Sequence, residues 1–229
     1  MQYVMLDGHI LLGKSLLIEC AGNIGLGKSA LAQLLEEHGA KAWYEKPEAI
    51  PLLHKFYDDM PKYALPLQHA LLQMRSKHVT QAKQHLGIAV IDRSRYEDLL
   101  VFCAGLQQLG HLTPQQYDQF EREFRQTLAE LPKPDLIVHL VGTPDVACQG
   151  VLARNRELEL TKRYAVTREY LTLLHAHYQQ FERKLTEFYH GDVLRMNRNV
   201  TDFVHNPADR ERAVQEVFQA LKLPLPFKT

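Results

Sequence analysis

The stretch Gly22-Asn23-Ile24-Gly25-Leu26-Gly27-Lys28-Ser29 constrains this chain more than any other. It follows an apolar run, Leu16-Leu17-Ile18, and opens into Ala30-Leu31-Ala32-Gln33-Leu34-Leu35-Glu36-Glu37-His38, whose apolar residues recur at helical spacing. Glycines permit left-handed backbone and close approach of a ligand. A buried strand that turns sharply into a helix aims successive backbone N–H groups and the helix N-terminus at one point, which suits a phosphate. Lys28 is expected to pair with the β- and γ-phosphates of a nucleoside triphosphate, and Ser29 to hold Mg²⁺ through its hydroxyl.

The same spacing occurs once before, from Gly8 to Ser15. That copy has Ile10-Leu11-Leu12 inside the loop and is followed by a strand-like run rather than a helix. It fails two requirements of a phosphate loop, and the first 14 residues read as an extension leading into the domain.

Further along, short apolar runs alternate with longer helical stretches, the pattern of a parallel sheet covered by helices. Strands are expected at 16–20, 41–45, 87–92, 136–141 and 193–196. Helices are expected at 28–38, 63–85, 96–109, 114–130, 144–153, 167–189 and 207–221. Thr113-Pro114, Thr143-Pro144 and Asn206-Pro207 each set a capping side chain before a proline, which marks a helix start. No internal repeat interrupts this order, and 229 residues suit a single domain.

Charge narrows the partners. The 27 basic and 27 acidic side chains cancel, which argues against a surface built for nucleic-acid polymers while leaving room for a local phosphate site. Cys20, Cys103 and Cys148 are odd in number and lack metal-binding spacing, as expected of reduced thiols in a cytoplasmic protein. No run reaches the roughly 20 apolar residues of a membrane helix, and Met1-Gln2-Tyr3-Val4 does not begin a signal peptide, so no membrane partner is expected.

A phosphate loop fits switch GTPases, motor ATPases and small-molecule kinases. Asn-Lys-x-Asp is absent, and so is an Asp-x-x-Gly after the third strand, which leaves the kinases. Six further stretches carry candidate chemistry. They are Tyr44-Glu45-Lys46-Pro47; Phe56-Tyr57-Asp58-Asp59; Gln68 with Arg75, two helical turns apart and so on one face; Ile91-Asp92-Arg93-Ser94 with Asp98 and Phe102; Arg154 to Arg163; and Asn199-Val200-Thr201-Asp202-Phe203. A carboxylate such as Glu45 suits acceptance of a hydroxyl proton. A glutamine amide offers donor and acceptor in one plane, suited to a base edge. Arginines in a lid can bind phosphoryl oxygens in pairs.

Together these stretches, from Leu16 to about Phe203, resemble the deoxyribonucleoside kinases, and residues 44–75 are similar to their bacterial deoxyadenosine/deoxyguanosine branch. The resemblance implies a P-loop nucleoside/nucleotide kinase fold: an α/β, five-stranded parallel sheet of order 2-3-1-4-5, helices on both faces, and an arginine-containing lid at about 154–163. It implies Glu45 as the catalytic carboxylate, with Glu48 a weaker rival, and Lys28 and Arg93 beside it. Donor ATP would be held by Gly22 to Ser29, Arg154, Arg156, Asp202 and Phe203, with Arg195 or Arg198 stacking on its base. Mg²⁺ would lie on Ser29 and Asp92. The acceptor would meet Glu45, Tyr57, Gln68, Arg75, Arg93, Asp98, Phe102 and Glu159, an arrangement suited to a purine or cytosine deoxyribonucleoside. Family members are usually dimers, so a homodimer is expected, with the long helices at 63–85 and 114–130 suited to the interface.

One departure stands out: the family carries an arginine one helical turn before Arg154, where this chain has Gly150. Either two lid arginines suffice, or Lys162 or Arg163 compensates, or turnover is slow. Two other classes compete with a deoxynucleoside kinase, a nucleoside monophosphate kinase and a binding protein that has lost catalysis. Asp58 and Asp59 are expected to repel the acceptor phosphate of a monophosphate.

Overall fold

The structure, a computed structural model, describes residues 4–6, 9–46 and 49–224. Strand β3 (Leu16–Gly22) is buried along its whole length, as is β5 (Ile88–Ile91), and β6 (Leu136–Val141) nearly so. With β4 (Lys41–Trp43) and β7 (Asp192–Asn197) they form one parallel sheet of order β4-β5-β3-β6-β7, the expected topology. Near-continuous apolar runs mark strands covered on both faces. Alternate residues indeed divide between two clusters. Leu16, Ile18, Ile88 and Val90 join the main core, whereas Leu17, Ala89 and Ile91 meet Val79 and Ala82 of a helix on the other face.

The chain leaves β3 toward β4, returns to β5, and then crosses to β6 on the other side of β3. That reversal opens a crevice at the carboxyl ends of the central strands, where open α/β sheets bind ligands.

Helix α1 (Lys28–Glu36) follows β3 directly, and α3 (Met60–Lys83) starts three residues before its expected position because Asp59 caps it, accepting from the Lys62 N–H. All three expected caps are present. Thr113 starts α5 (Pro114–Glu130) with a reciprocal bond to Gln116, Thr143 starts α6 (Pro144–Arg154), and Asn206 starts α9 (Pro207–Ala220). Elements outside the expectation are α2 (Pro51–Asp58), α7 (Glu157–Leu160) and a π-helical segment, Asp98–Cys103, which precedes α4 (Ala104–Gln108) where one α-helix was expected. Helix α8 (Arg168–Leu185) ends four residues early. No helix among the described residues is long and apolar enough to cross a membrane.

Before β3, β1 (Val4–Leu6) and β2 (His9–Leu11) pair antiparallel within the stretch read as an extension. Gly8 lies outside the described residues, but the rest of the first glycine match ends in exposed Lys14 and in Ser15, which donates to the Ala82 carbonyl at 3.1 Å and enters β3, not a helix. A Lys14→Ala variant is therefore expected to keep nucleotide affinity within about twofold, the usual reach of a surface change. Loss of nucleotide binding by calorimetry would return Gly8–Ser15 to consideration.

Candidate active site

The phosphate loop is laid against α6 backbone to backbone. Gly25 and Gly27 adopt φ of 88° and 89°, open to glycine at no steric cost. A Cβ on Gly25 would stand 2.0 Å from the Ala147 carbonyl oxygen, and one on Gly150 would stand 1.9 Å from the Gly25 carbonyl oxygen. Gly150 is thus where the helix touches the loop, and the arginine expected there has no room.

Side chains fix the loop from beneath. Asn23 accepts from the Ile24 N–H at 2.8 Å and donates to the Leu171 carbonyl at 2.9 Å. Gly22 N–H donates to Glu97 Oε1 at 2.9 Å. Lys28 Nζ donates to the carbonyls of Gly22 and Asn23. Burial first, then the nearby Arg93 guanidinium, pushes the Lys28 ammonium down to about 7, a state that an anionic ligand would reverse. Ser29 Oγ shares its proton between Asp92 Oδ1 and Oδ2, at 3.0 and 2.9 Å. Burial raises the Asp92 carboxyl above its usual range. A hydroxyl and a carboxylate, both hard oxygen donors, fit a small divalent cation that keeps waters and phosphate oxygens as its other ligands.

From this loop a cavity of about 740 Å³ runs to α2 and α3. Glu45 lies in it, two residues beyond the end of β4 rather than within the strand. Its Oε2 accepts from Arg75 Nη2 at 2.9 Å and pairs with Arg93 Nε at 3.0 Å. Burial alone would raise the Glu45 carboxyl, but Arg75 and Arg93 outweigh it and hold it at about 2. Arg75 also pairs with Asp98, both fully enclosed. Gln68 lines the same wall, and its Oε1 is buried without a hydrogen-bond partner, an unsatisfied acceptor that a ligand donor would relieve. Phe102 lies beneath the Arg93 guanidinium at 5.0 Å, and Tyr57 is 5 % exposed at the cavity wall. Glu48 lies outside the described residues.

Asp58 and Asp59 are not part of this cavity. Asp58 pairs with Lys162 at 3.0 Å and Asp59 caps α3, so the expected repulsion of an acceptor phosphate does not come from them. The acidic groups that do face the acceptor end are Glu45 and Glu159.

In the lid, Arg154 grips Glu159 with two bonds, Nε to Oε2 at 2.9 Å and Nη2 to Oε1 at 2.6 Å. Arg156 Nη1 stands 3.7 Å from the same carboxylate. Lys162 pairs with Asp58 and Arg163 lies over the Tyr164 ring at 5.4 Å, and neither lines the cavity. Tyr164 N–H donates to the Tyr57 carbonyl at 3.0 Å, tying the chain after the lid to α2.

At the far end, Arg198 and Asp202 line the cavity, whereas Phe203 is completely buried with the Arg198 guanidinium 4.1 Å above its ring. Arg198 also donates to the Leu26 carbonyl at 3.1 Å and to Asp202 Oδ1 at 3.3 Å. Arg195 lies elsewhere, in a small cavity beside His139 and Glu182, so only Arg198 of the two lines the main cavity.

Sequence reasoning missed Tyr170, which lines the main cavity, and Glu97, which lies behind it fully buried. Nothing in the pattern distinguishes Glu97 from the exposed glutamates of this chain. A second buried carboxylate, Glu19 in the middle of β3, accepts from Ser94 Oγ at 2.9 Å and pairs with Arg95 at 3.3 Å, while Ser94 N–H donates to the Cys20 carbonyl at 2.7 Å. These bonds anchor the turn that presents Asp92 and Arg93.

Known proteins match along most of the chain. The family model described as deoxynucleoside kinase matches residues 18–222. A deoxyguanosine kinase of Lactobacillus acidophilus is 30% identical over 211 residues, covering 90% of each chain. A deoxyadenosine/deoxycytidine kinase of Bacillus subtilis is 27% identical over 216 residues, 93% of this chain and 95% of that one. Among solved structures, deoxyadenosine kinase from M. mycoides with bound dATP superposes with a TM-score of 0.72 at 21% identity, covering 90% of this chain and 99% of its own. That likeness is one of fold.

Proposed function

The chain belongs to the deoxynucleoside kinase family, and from that premise we propose that it transfers the γ-phosphoryl group of ATP to the 5′-hydroxyl of a deoxyribonucleoside, with purines preferred. One observation carries the reading: a single cavity joins Lys28 and Ser29 of the phosphate loop to Glu45, Gln68 and Arg75.

Phosphoryl transfer passes through a loose transition state, so positioning and charge do most of the work. The loop's N–H groups and Lys28 hold the β- and γ-phosphates. Arg154 and Arg156 release Glu159 to meet the phosphoryl oxygens, and Glu159 turns to the sugar 3′-hydroxyl beside Tyr57. Ser29 and Asp92 would hold Mg²⁺, which when bound would supply positive charge to offset the negative charge of the transferring phosphoryl group. Glu45 takes the proton of the 5′-hydroxyl as its oxygen bonds to the γ-phosphorus and the bond to ADP breaks. Arg75, oriented by Asp98, and Gln68 offer donors and an acceptor to the base edge.

The names of the relatives support a purine preference, and the Bacillus subtilis protein adds deoxycytidine as the second candidate. The reading takes the chain as one cytoplasmic catalytic domain that dimerises through α3 and α5. Transfer of label from ATP to each of four deoxynucleosides, in competition, is the test. Deoxyguanosine or deoxyadenosine should compete best. Thymidine competing equally would overturn the purine preference, and label passing to an added nucleoside monophosphate, to give a diphosphate, but to none of the deoxynucleosides would overturn the whole reading.

A further inference from the structure

Arg93 lies between two carboxylates and satisfies only one. Its Nε is 3.0 Å from Glu45 Oε2, while its Nη1 is buried, makes no hydrogen bond, and stands 4.0 Å from Glu97 Oε1. Glu97 is 0 % exposed, and its Oε2 is likewise buried without a partner. The other oxygen, Oε1, is pinned by the Gly22 N–H at 2.9 Å and by the Tyr178 hydroxyl of α8. A fixed carboxylate with one unpaired oxygen therefore stands 4.0 Å from a guanidinium nitrogen that makes no hydrogen bond, a gap that a small rotation of the Arg93 side chain would close. Lys28 and Arg154 repel that guanidinium, and Asp92, Glu45 and Glu97 attract it.

We propose that Glu97 is a positioning residue: on acceptor binding, Arg93 moves from Glu45 to Glu97. A carboxylate that shares one oxygen between two guanidiniums is a weak proton acceptor, and one relieved of Arg93 is a stronger base for the 5′-hydroxyl. Glu97 also holds the first N–H of the phosphate loop, so the receiving group for Arg93 is fixed to the donor site. This assignment rests on Glu45 being the base.

Glu97→Gln keeps the shape and an oxygen for Gly22 and Tyr178 while removing the charge. It is expected to lower kcat by about 10-fold or more, with the acceptor KM and the ATP Kd each within about threefold and little change in Tm. In a Glu45→Gln background the same substitution should cost less than about twofold, because it acts through Glu45. Glu97→Asp, which keeps the charge, should retain more kcat per folded molecule than Glu97→Gln. An unchanged kcat in Glu97→Gln, equal losses in both backgrounds, a loss of ATP affinity in step with kcat, or a reversed order of Asp and Gln would each overturn the proposal. Failure of the underlying reading looks different: Glu45→Gln alone would then keep its kcat.

Discussion

A Glu45→Gln variant is expected to lose about 10²–10⁴-fold in kcat, the range that a positioned general base contributes, or about 3–5 kcal/mol of barrier. The amide preserves the volume of the side chain and still accepts from Arg75 and Arg93, but it cannot take a proton. Both arginines keep a charged neighbour, Asp98 for Arg75 and Glu97 for Arg93, so neither is stranded. ATP affinity should stay nearly constant, since Glu45 accepts from Arg75 and Arg93 rather than from the phosphate loop. Steady-state rates against an isothermal titration with ATP separate the two. A variant with near-parental kcat would remove Glu45 from the mechanism and turn attention to Glu48.

The second large effect is expected at Gly150→Ala. One methyl group there meets the Gly25 carbonyl oxygen at 1.9 Å, and that atom belongs to backbone that cannot rotate away. Either α6 or the loop must move, at a cost of about 1–3 kcal/mol for an overpacked contact. Because the loop's N–H directions are themselves the phosphate site, ATP affinity should fall by about 10-fold or more even where the variant stays folded. Gly150→Arg should be worse, so restoring the arginine expected from the family resemblance harms this chain rather than improving it. ATP titration beside a thermal melt reads the result. Parental affinity in Gly150→Ala would show that the loop yields freely and that its contact with α6 is dispensable.

The architecture was readable because each of its parts leaves a local signature. Buried parallel strands read as continuous apolar runs, glycines mark the turn at 22–27, and Thr113, Thr143 and Asn206 with their prolines mark helix starts. Helix α2 was not readable, since eight residues give barely two turns of periodicity and only Phe56 and Tyr57 among them are buried. The π-helical turn at Asp98–Cys103 adds one residue per turn inside an apolar stretch, Leu99 to Phe102, where every register looks hydrophobic. In the site, residues at strand ends and in the loop could be named from position. Several pairings could not: Asp58 to Lys162, Arg154 to Glu159 and Glu97 to Gly22 join segments or orientations that spacing alone does not fix. Phe203 shows the same limit, an aromatic residue next to the donor end whose ring faces the core.

The fork that Arg154 makes on Glu159 has a consequence for how ligands are held. Four of the cationic side chains lining this cavity have protein partners already: Lys28 on loop carbonyls, Arg75 on Asp98, Arg93 on Glu45 and Arg154 on Glu159. Loading the site is therefore an ion exchange, in which a triphosphate and a hydroxylated sugar take over contacts instead of meeting bare charges. Dissolved salt weakens attraction between exposed charges over about 8–10 Å, and here it finds few to weaken. Nucleotide affinity in this chain should depend on ionic strength far less than six lysine and arginine side chains lining one cavity would suggest.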